Sequence, residues 1–290
     1  MAQIFANGLV TSSVYIIVAL GFSLIYFTTK NFHLAHGAVF ASGAYLGWWL
    51  FVRMGFSLPI VLVVAPLGAA LVGLAIEWSI YRPLERRRAS PEVVLIASLS
   101  AYIVVVNVIA MLAGNEVRLL RTGAATAWEV AGARVTPIQV LQLVSALAVA
   151  LGLTAVLRWS RVGYIWRAIG DSPELVSLMG WDVGLHRLGV FASGSALAGF
   201  AGVLVALDVG AEPHMGFAAV LAAVTACIVG GLGRYMAPIL GAVLLGLAES
   251  AAVAVLASRW KSAVTLSLLV LFLVVRPLGL LGRPLRGEER

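Results

Sequence analysis

Nothing limits the folding of this chain more than its apolar runs. Uninterrupted or nearly charge-free stretches recur at about 4–27, 34–52, 58–81, 92–113, 137–157, 186–207, 217–233, 236–256 and 263–281. Most are close to the ~20 residues that a helix needs to cross a bilayer. Only 11% of the 290 residues are charged and 61% are hydrophobic, where a soluble domain is roughly a quarter charged. The fold expected is all-α: one polytopic transmembrane helical bundle over residues 1–290, with eight or nine membrane segments and no soluble domain. The stretches 34–52 and 217–233 are short and glycine-rich, so either can be broken or re-entrant instead of spanning.

The formal net charge of +7 does not point to nucleic acid, because the arginines are scattered between the apolar runs and not gathered on one soluble face. The positive-inside rule accounts for them. With residues 82–88 inside and nine spans, the inner side collects Lys30, Arg82, Arg86, Arg87, Arg88, Arg158, Arg161, Arg167, Arg187, Arg234, Arg276, Arg283, Arg286 and Arg290, fourteen of the 20 Lys and Arg. The amino terminus is then expected outside and the carboxy terminus in the cytoplasm. The lone cysteine, Cys227, lies in an apolar run, which excludes a disulfide framework and cysteine-based metal sites. The start, MAQIFANGLV, has no basic residue before its apolar run and does not read as a cleaved signal peptide. Two connections stand out: the strongly basic segment 81–92, expected near anionic headgroups, and a polar outer loop over 114–137, long enough to shape a docking surface.

The longest polar interruption spans 158–187. Within it, Asp171-Ser172-Pro173-Glu174 is a dense helix-start signal. Asp171 as N-cap places Glu174 at N3, a capping-box spacing; Ser172 as N-cap places Pro173 at N1, where its missing N–H costs nothing. Leu175, Leu178 and Met179 then share one apolar face, and Gly180 suits the C′ position. Val176 falls between them. Two turns do not persist alone in water, so this helix must dock, either flat on the membrane surface or in the groove of a partner.

At this point the sequence resembles the LivH-type permease subunits of ATP-binding-cassette importers for branched-chain amino acids and related small solutes. That family carries a Glu-Ala-Ala-like element followed by Leu-Met-Gly; here stand Glu174-Leu175-Val176 and Leu178-Met179-Gly180. Leu34-Ala35-His36-Gly37 with Gly43-Ala44-Tyr45-Leu46, Tyr81-Arg82-Pro83-Leu84, Gly230-Gly231-Leu232-Gly233 and Gly246-Leu247-Ala248-Glu249-Ser250 match in order along nearly the whole chain. His33 stands where the family usually has Asn, and Ala222 where lysine is common. The resemblance implies that residues 171–180 seat on a separate ATPase subunit. It further implies a second permease chain, a paralogue, alongside, and a periplasmic binding protein that delivers the solute. The location implied is the bacterial inner membrane.

Ionisable groups inside spans are costly, about 2.5–3.5 kcal/mol for a central charge on insertion scales. Glu249 reads either as a structural residue bonded to a neighbouring helix or as a pathway residue. His33 and His36, three apart, share a face if that piece is helical; they read as a polar break or as part of the solute path. Asn107, with Gly194, Gly199 and Gly202, reads first as a packing position, and Asn107 joins the pathway candidates. Glu77 is expected to snorkel or to pair with Arg82. Asp208, Glu212 and His214 fall in an outer turn. Neither lysine, Lys30 nor Lys261, sits in a Walker A loop, and no catalytic constellation is present. No cofactor is expected on this chain; ATP and Mg belong on the partner ATPase. The competing reading is a secondary transporter or channel that uses the intramembrane His and Glu, and a presented, partner-dependent helix argues against it.

Overall fold

The computed structural model describes residues 1–120, 127–130, 132–231, 234–257, 260–276 and 278–281. Its elements are α1 (Ala2–Thr29), α2 (His36–Trp48), α3 (Leu58–Ile76), α4 (Arg82–Arg86), α5 (Pro91–Ala113), the strands β1 (Trp128–Val130) and β2 (Ala133–Val135), α6 (Pro137–Trp159), α7 (Arg161–Asp171), α8 (Pro173–Leu178), α9 (Val183–Val209), α10 (Met215–Gly230), α11 (Ala237–Val255) and α12 (Lys261–Val275). Single π-helical turns extend α2 (Trp49–Arg53) and join α3 to α4 (Glu77–Tyr81).

Punctuation residues set the ends. Extended Ser57 and Ser90 precede α3 and α5, each with proline in its first turn, where the absent N–H has no helical partner to lose. Gly114 and Gly210 close α5 and α9 with φ of +83° and +95°, a region that only glycine enters cheaply.

Among the described residues, six helices are long and apolar enough to cross a membrane: Ala2–Thr29, Leu58–Arg86, Pro91–Ala113, Pro137–Trp159, Val183–Val209 and Ala237–Val255. Met215–Gly230 and Lys261–Val275 are shorter apolar helices. The chain is thus a helical membrane protein without a soluble domain. The segment at 34–52 is helical but its α-helix is short, and nearly every residue of α2 from His36 to Gly47 is buried against protein. A helix enclosed by other helices does not need an apolar surface toward lipid.

The described residues form two compact units. One comprises Leu24–Thr122 and Gly152–Phe217. At its centre α2 packs along α3 and α9, with α5 against another face. The approach is close because small residues meet: a Cβ on Gly43 would strike the Gly199 backbone, and one on Gly199 would strike Ala69. Gly202 faces the carbonyl of Phe40, and Gly194 is buried. The packing role expected of Gly199 and Gly202 holds.

The other unit comprises Met1–Ser23, Gly123–Leu151 and Ala218–Arg290. Here α1 and α11 meet through small residues spaced four apart on each helix, Gly8 and Ser12 against Gly246 and Ser250, the pattern that permits backbone contact in membranes. Ser250 Oγ donates to the Ile4 carbonyl at 2.6 Å, and Ser12 Oγ to that of Val243 at 3.3 Å. Within the connection 114–137, β1 and β2 pair antiparallel, with Glu129 opposite Arg134. The Gln3 side chain brackets the backbone of Arg134, accepting from its N–H at 2.8 Å and donating to its carbonyl at 3.1 Å. Residues 121–126 of that loop lie outside the described residues, as do Leu232 and Gly233 of the Gly230 motif and the carboxy-terminal Arg283, Arg286 and Arg290.

Candidate functional site

The polar stretch 158–187 holds two helices where the sequence suggested one. Ser160 caps α7, its hydroxyl accepting from the Gly163 N–H at 3.0 Å, and α7 buries Gly163, Trp166 and Ile169. That helix was legible in principle: buried positions three residues apart follow a capping serine. Asp171 is its last residue. Of the two N-cap assignments for α8, the structure takes Ser172, with Pro173 at N1 and the Ser172 hydroxyl accepting from Leu175 N–H at 3.4 Å. Glu174 is therefore at N2, exposed, beside the positive end of the short helix.

Gly180, at φ +85°, ends α8 as expected. The Trp181 N–H reaches the Val176 carbonyl at 3.3 Å and the Gly180 N–H that of Ser177 at 2.9 Å, which is a complete Schellman closure. Asp182 then caps α9 by accepting from Leu185 N–H at 3.0 Å. Three successive helices, α7, α8 and α9, are thus tied end to end by their own caps. Partial desolvation holds the Lys30 ammonium below its ordinary range, and the charge of Asp171 opposes that shift.

The apolar face of α8 is divided. Val176 is buried at 4% exposure and anchors the helix from beneath, whereas Leu178 and Met179 stand 83% and 76% exposed, with Leu175 beside them. Exposed leucine and methionine side by side on a rigidly capped helix constitute an unsatisfied apolar patch.

One turn into α9, Arg187 is buried and its Nε donates to Glu77 Oε1 at 3.2 Å; its Nη1 contacts Glu85. Glu77 therefore pairs with Arg187, and the expected pairing with Arg82 is corrected. The π turn Glu77–Tyr81 is what aims both of its end residues inward. By sequence Arg187 is one of the inner-side charges; an arginine four residues inside an apolar helix start is the signal that it has a buried partner.

Tyr81 leads to the second polar network. Ser98 Oγ accepts from the Ala35 N–H at 3.1 Å and from the Tyr81 hydroxyl at 2.6 Å, and His33 Nδ1 lies 2.8 Å from that hydroxyl. If the tyrosine proton goes to Ser98, the tautomer that fits is the one in which His33 Nδ1 donates to the Tyr81 oxygen. His33 and His36 are both buried, with rings 5.5 Å apart and edge-to-face. They do not share a helical face, because α2 begins only at His36. Among the described residues no group of three metal-ligating side chains occurs.

The remaining candidates lie apart from these. Asn107 is exposed on α5, its amide donating to the Ile103 carbonyl one turn back at 2.8 Å. Glu249 is buried and fully engaged: Tyr15 donates to Oε2 at 2.7 Å, Lys261 Nζ lies 3.4 Å from the same oxygen, and Thr265 donates to Oε1. Its carboxylate joins α1, α11 and α12. Glu212 and His214 are exposed in the turn before α10.

A family profile described as the permease component of the branched-chain amino acid transport system matches residues 4–273. The chain belongs to this permease family. It is similar to the high-affinity branched-chain amino acid transport system permease protein LivH of Escherichia coli strain K12, with 32% identity over 96% of this chain and 94% of that one. BraD of Pseudomonas aeruginosa, named for the same system, is 31% identical over 97% of this chain and 96% of its own length. A probable LivH of Methanocaldococcus jannaschii is 29% identical over 97% and 92%. Among solved structures, PsaBC from Streptococcus pneumoniae in complex with Fab shares the fold, with a TM-score of 0.55 over 93% of this chain and 91% of that one, at 14% identity.

Arg187 with Glu77 and Glu85, and His33 with Tyr81 and Ser98, fix helices of one unit to each other; the apolar α8 patch of Leu175, Leu178 and Met179 is left exposed among the described residues.

Proposed function

We propose that this chain is the membrane-spanning permease subunit of an ATP-driven ABC importer, that it moves branched-chain amino acids or a related small polar solute, and that α8 is where the motor engages. The observation that carries this is the exposed Leu175, Leu178 and Met179 on a helix capped at both ends and anchored by buried Val176. A chain of fewer than eight helical residues survives by docking, and the free side of this one is apolar. Asp171, Ser172, Pro173 and Glu174 build its start and Gly180 its stop. A self-sufficient secondary transporter or channel would leave that face without a purpose.

In the proposed assembly the chain is one permease domain with eight or nine membrane segments, the short α10 and α12 and the enclosed α2 counted with the long helices. The stretches 82–90 and 158–187 and the carboxy terminus face the cytoplasm and the 114–137 loop faces the periplasm. The chain carries out no chemistry and binds no cofactor. ATP and Mg sit on separate ATPase subunits, a paralogous permease completes the pathway, and a periplasmic binding protein supplies solute.

A force on α8 passes through the Asp182 cap into α9. From there the Arg187 ion pairs and the small-residue contacts of α9 with α2 and α3 carry it into the helices. The bundle then rocks between inward-open and outward-open states. Asn107, a polar side chain on an exposed and otherwise apolar helix face, is the pathway candidate best placed for solute. His33 and His36 would reach the path as helices part, and Glu249 would hold α1, α11 and α12 of its own unit together.

The test is a pull-down and uptake assay with the cognate ATPase. Leu178→Asp or Glu174→Arg should abolish ATPase association and ATP-driven uptake while the permease still reaches the membrane; intact association in both variants would remove α8 from the interface.

A further inference from the structure

The basic segment after α3 is charged in a way that the permease reading does not use. Its two carboxylates, Glu77 and Glu85, are turned toward Arg187. Arg82, Arg86 and Arg87 enter no ion pair among the described residues and instead line a pocket of about 520 Å³ with Trp78, Ser79 and Pro83. Above the pocket, Leu67 and Leu71 are exposed on the same helix, and Trp78, 67% exposed, stands where that apolar stripe meets the arginines. The stripe advances by steps of about one or two turns, 67, 71, 78, and continues into 82 and 86, so one face of the Leu58–Arg86 helix runs from hydrocarbon-compatible to cationic.

We propose that this pocket binds the headgroup of an anionic phospholipid, with its acyl chains lying along Leu71 and Leu67. The chemistry is specific in two respects. Three guanidiniums offer forked donors that match phosphate oxygens, and an indole at the boundary of a membrane helix occupies the headgroup level. A soluble anion would use the arginines but leave the apolar stripe unoccupied; a zwitterionic lipid would use the stripe but bring its own cation to the arginines. Only a lipid with net negative charge satisfies both. The assignment of the site to the cytoplasmic leaflet rests on the orientation proposed above; the binding itself rests on the pocket. Because Glu85 lies on α4 between the pocket arginines and contacts Arg187, an occupied headgroup site also steadies the acidic partners of the α9 ion pair.

The experiment is native mass spectrometry of the permease purified in mild detergent with its copurifying partners, titrated with phosphatidylglycerol and, separately, with phosphatidylcholine of the same acyl chains. Phosphatidylglycerol should bind preferentially. Arg86→Gln and Arg87→Gln, both at exposed positions, should each weaken it by roughly fivefold, and the triple variant with Arg82→Gln by about a hundredfold. Arg88→Gln, outside the pocket, should change nothing. Trp78→Ala should weaken both lipids without altering the preference. Three results would each overturn the proposal: undiminished phosphatidylglycerol retention in the single arginine variants, equal retention of phosphatidylcholine, or full displacement of lipid by millimolar inorganic phosphate, which marks a free-anion site. Retention is read without transport, so a failure of the importer reading leaves this outcome unaffected, and the reverse holds as well.

Discussion

Arg187 of α9 and Glu77 at the end of α3 form an ion pair buried on both sides, with Nε 3.2 Å from Oε1 and exposures of 8% and 3% for the two side chains. A pair of this kind adds little net stability, but removing one member strands the other charge. Arg187→Leu should therefore destabilise the protein by about 3–5 kcal/mol, read as a fall in melting temperature in detergent. The double variant Arg187→Leu/Glu77→Leu should recover most of that loss. A double variant whose loss equals the sum of the losses in Arg187→Leu and Glu77→Leu would show that the pair is not energetically coupled.

The caps of α8 predict a different kind of effect. Gly180→Val places a β-branched residue at φ +85°, where it is strained by about 1–2 kcal/mol, and Ser172→Ala removes a cap worth about 1 kcal/mol. Since α8 is a peripheral two-turn helix, these costs act locally. Uptake should drop severalfold while the global melting temperature moves little, and protease cleavage near residues 172–181 should accelerate. A large fall in melting temperature with unchanged cleavage would contradict the local picture.

Close packing gives the third prediction. A side chain at position 199 meets Ala69 and the turn of α2 around Gly43, so Gly199→Leu should cost about 1–3 kcal/mol or more through overpacking and lower the yield of folded protein. Gly152 has nothing within 4 Å of an added Cβ, and Gly152→Ala should be neutral or stabilising by roughly 0.5–1 kcal/mol. Fluorescence-detected size exclusion after heating separates the two. Comparable behaviour of the two variants would refute the close contact of α2, α3 and α9.

The contrast between these sites explains what could be read in advance. Apolar runs and their flanking proline and glycine signals are local, so the long helices, a short helix starting within Asp171–Glu174 and the Gly180 stop were visible in the chain, while the choice between Asp171 and Ser172 as N-cap was not. Glu77 was not: its partner lies 110 residues away, and proximity in sequence favoured Arg82. His33 and His36 suggested one helical face because spacing alone does not reveal that α2 starts at His36, leaving His33 outside it. The length of a segment likewise says little about enclosure. The stretch 34–52 reads as short and glycine-rich, open to being broken or re-entrant, and nearly all of 36–47 is buried as a helix against protein. For α8, periodicity found the apolar positions but could not say which would face the chain; Val176 does, and Leu178 and Met179 do not.

Glu249 supplies the last prediction. Its carboxylate accepts from Tyr15 and Thr265 and lies 3.4 Å from Lys261 Nζ, so three helices share one buried acidic group. Tyr15→Phe and Thr265→Val each remove one donor from a group that cannot turn to water, which should cost about 0.5–2 kcal/mol apiece. Glu249→Leu deletes the acceptor as well, and adding Tyr15→Phe to it should then cost almost nothing further, because the hydroxyl has already lost its partner. If the carboxylate acts by holding α1, α11 and α12 together, uptake per folded molecule should stay within about twofold of the parent in Tyr15→Phe while the melting temperature falls. A variant that melts normally yet transports poorly would instead place Glu249 on the solute path.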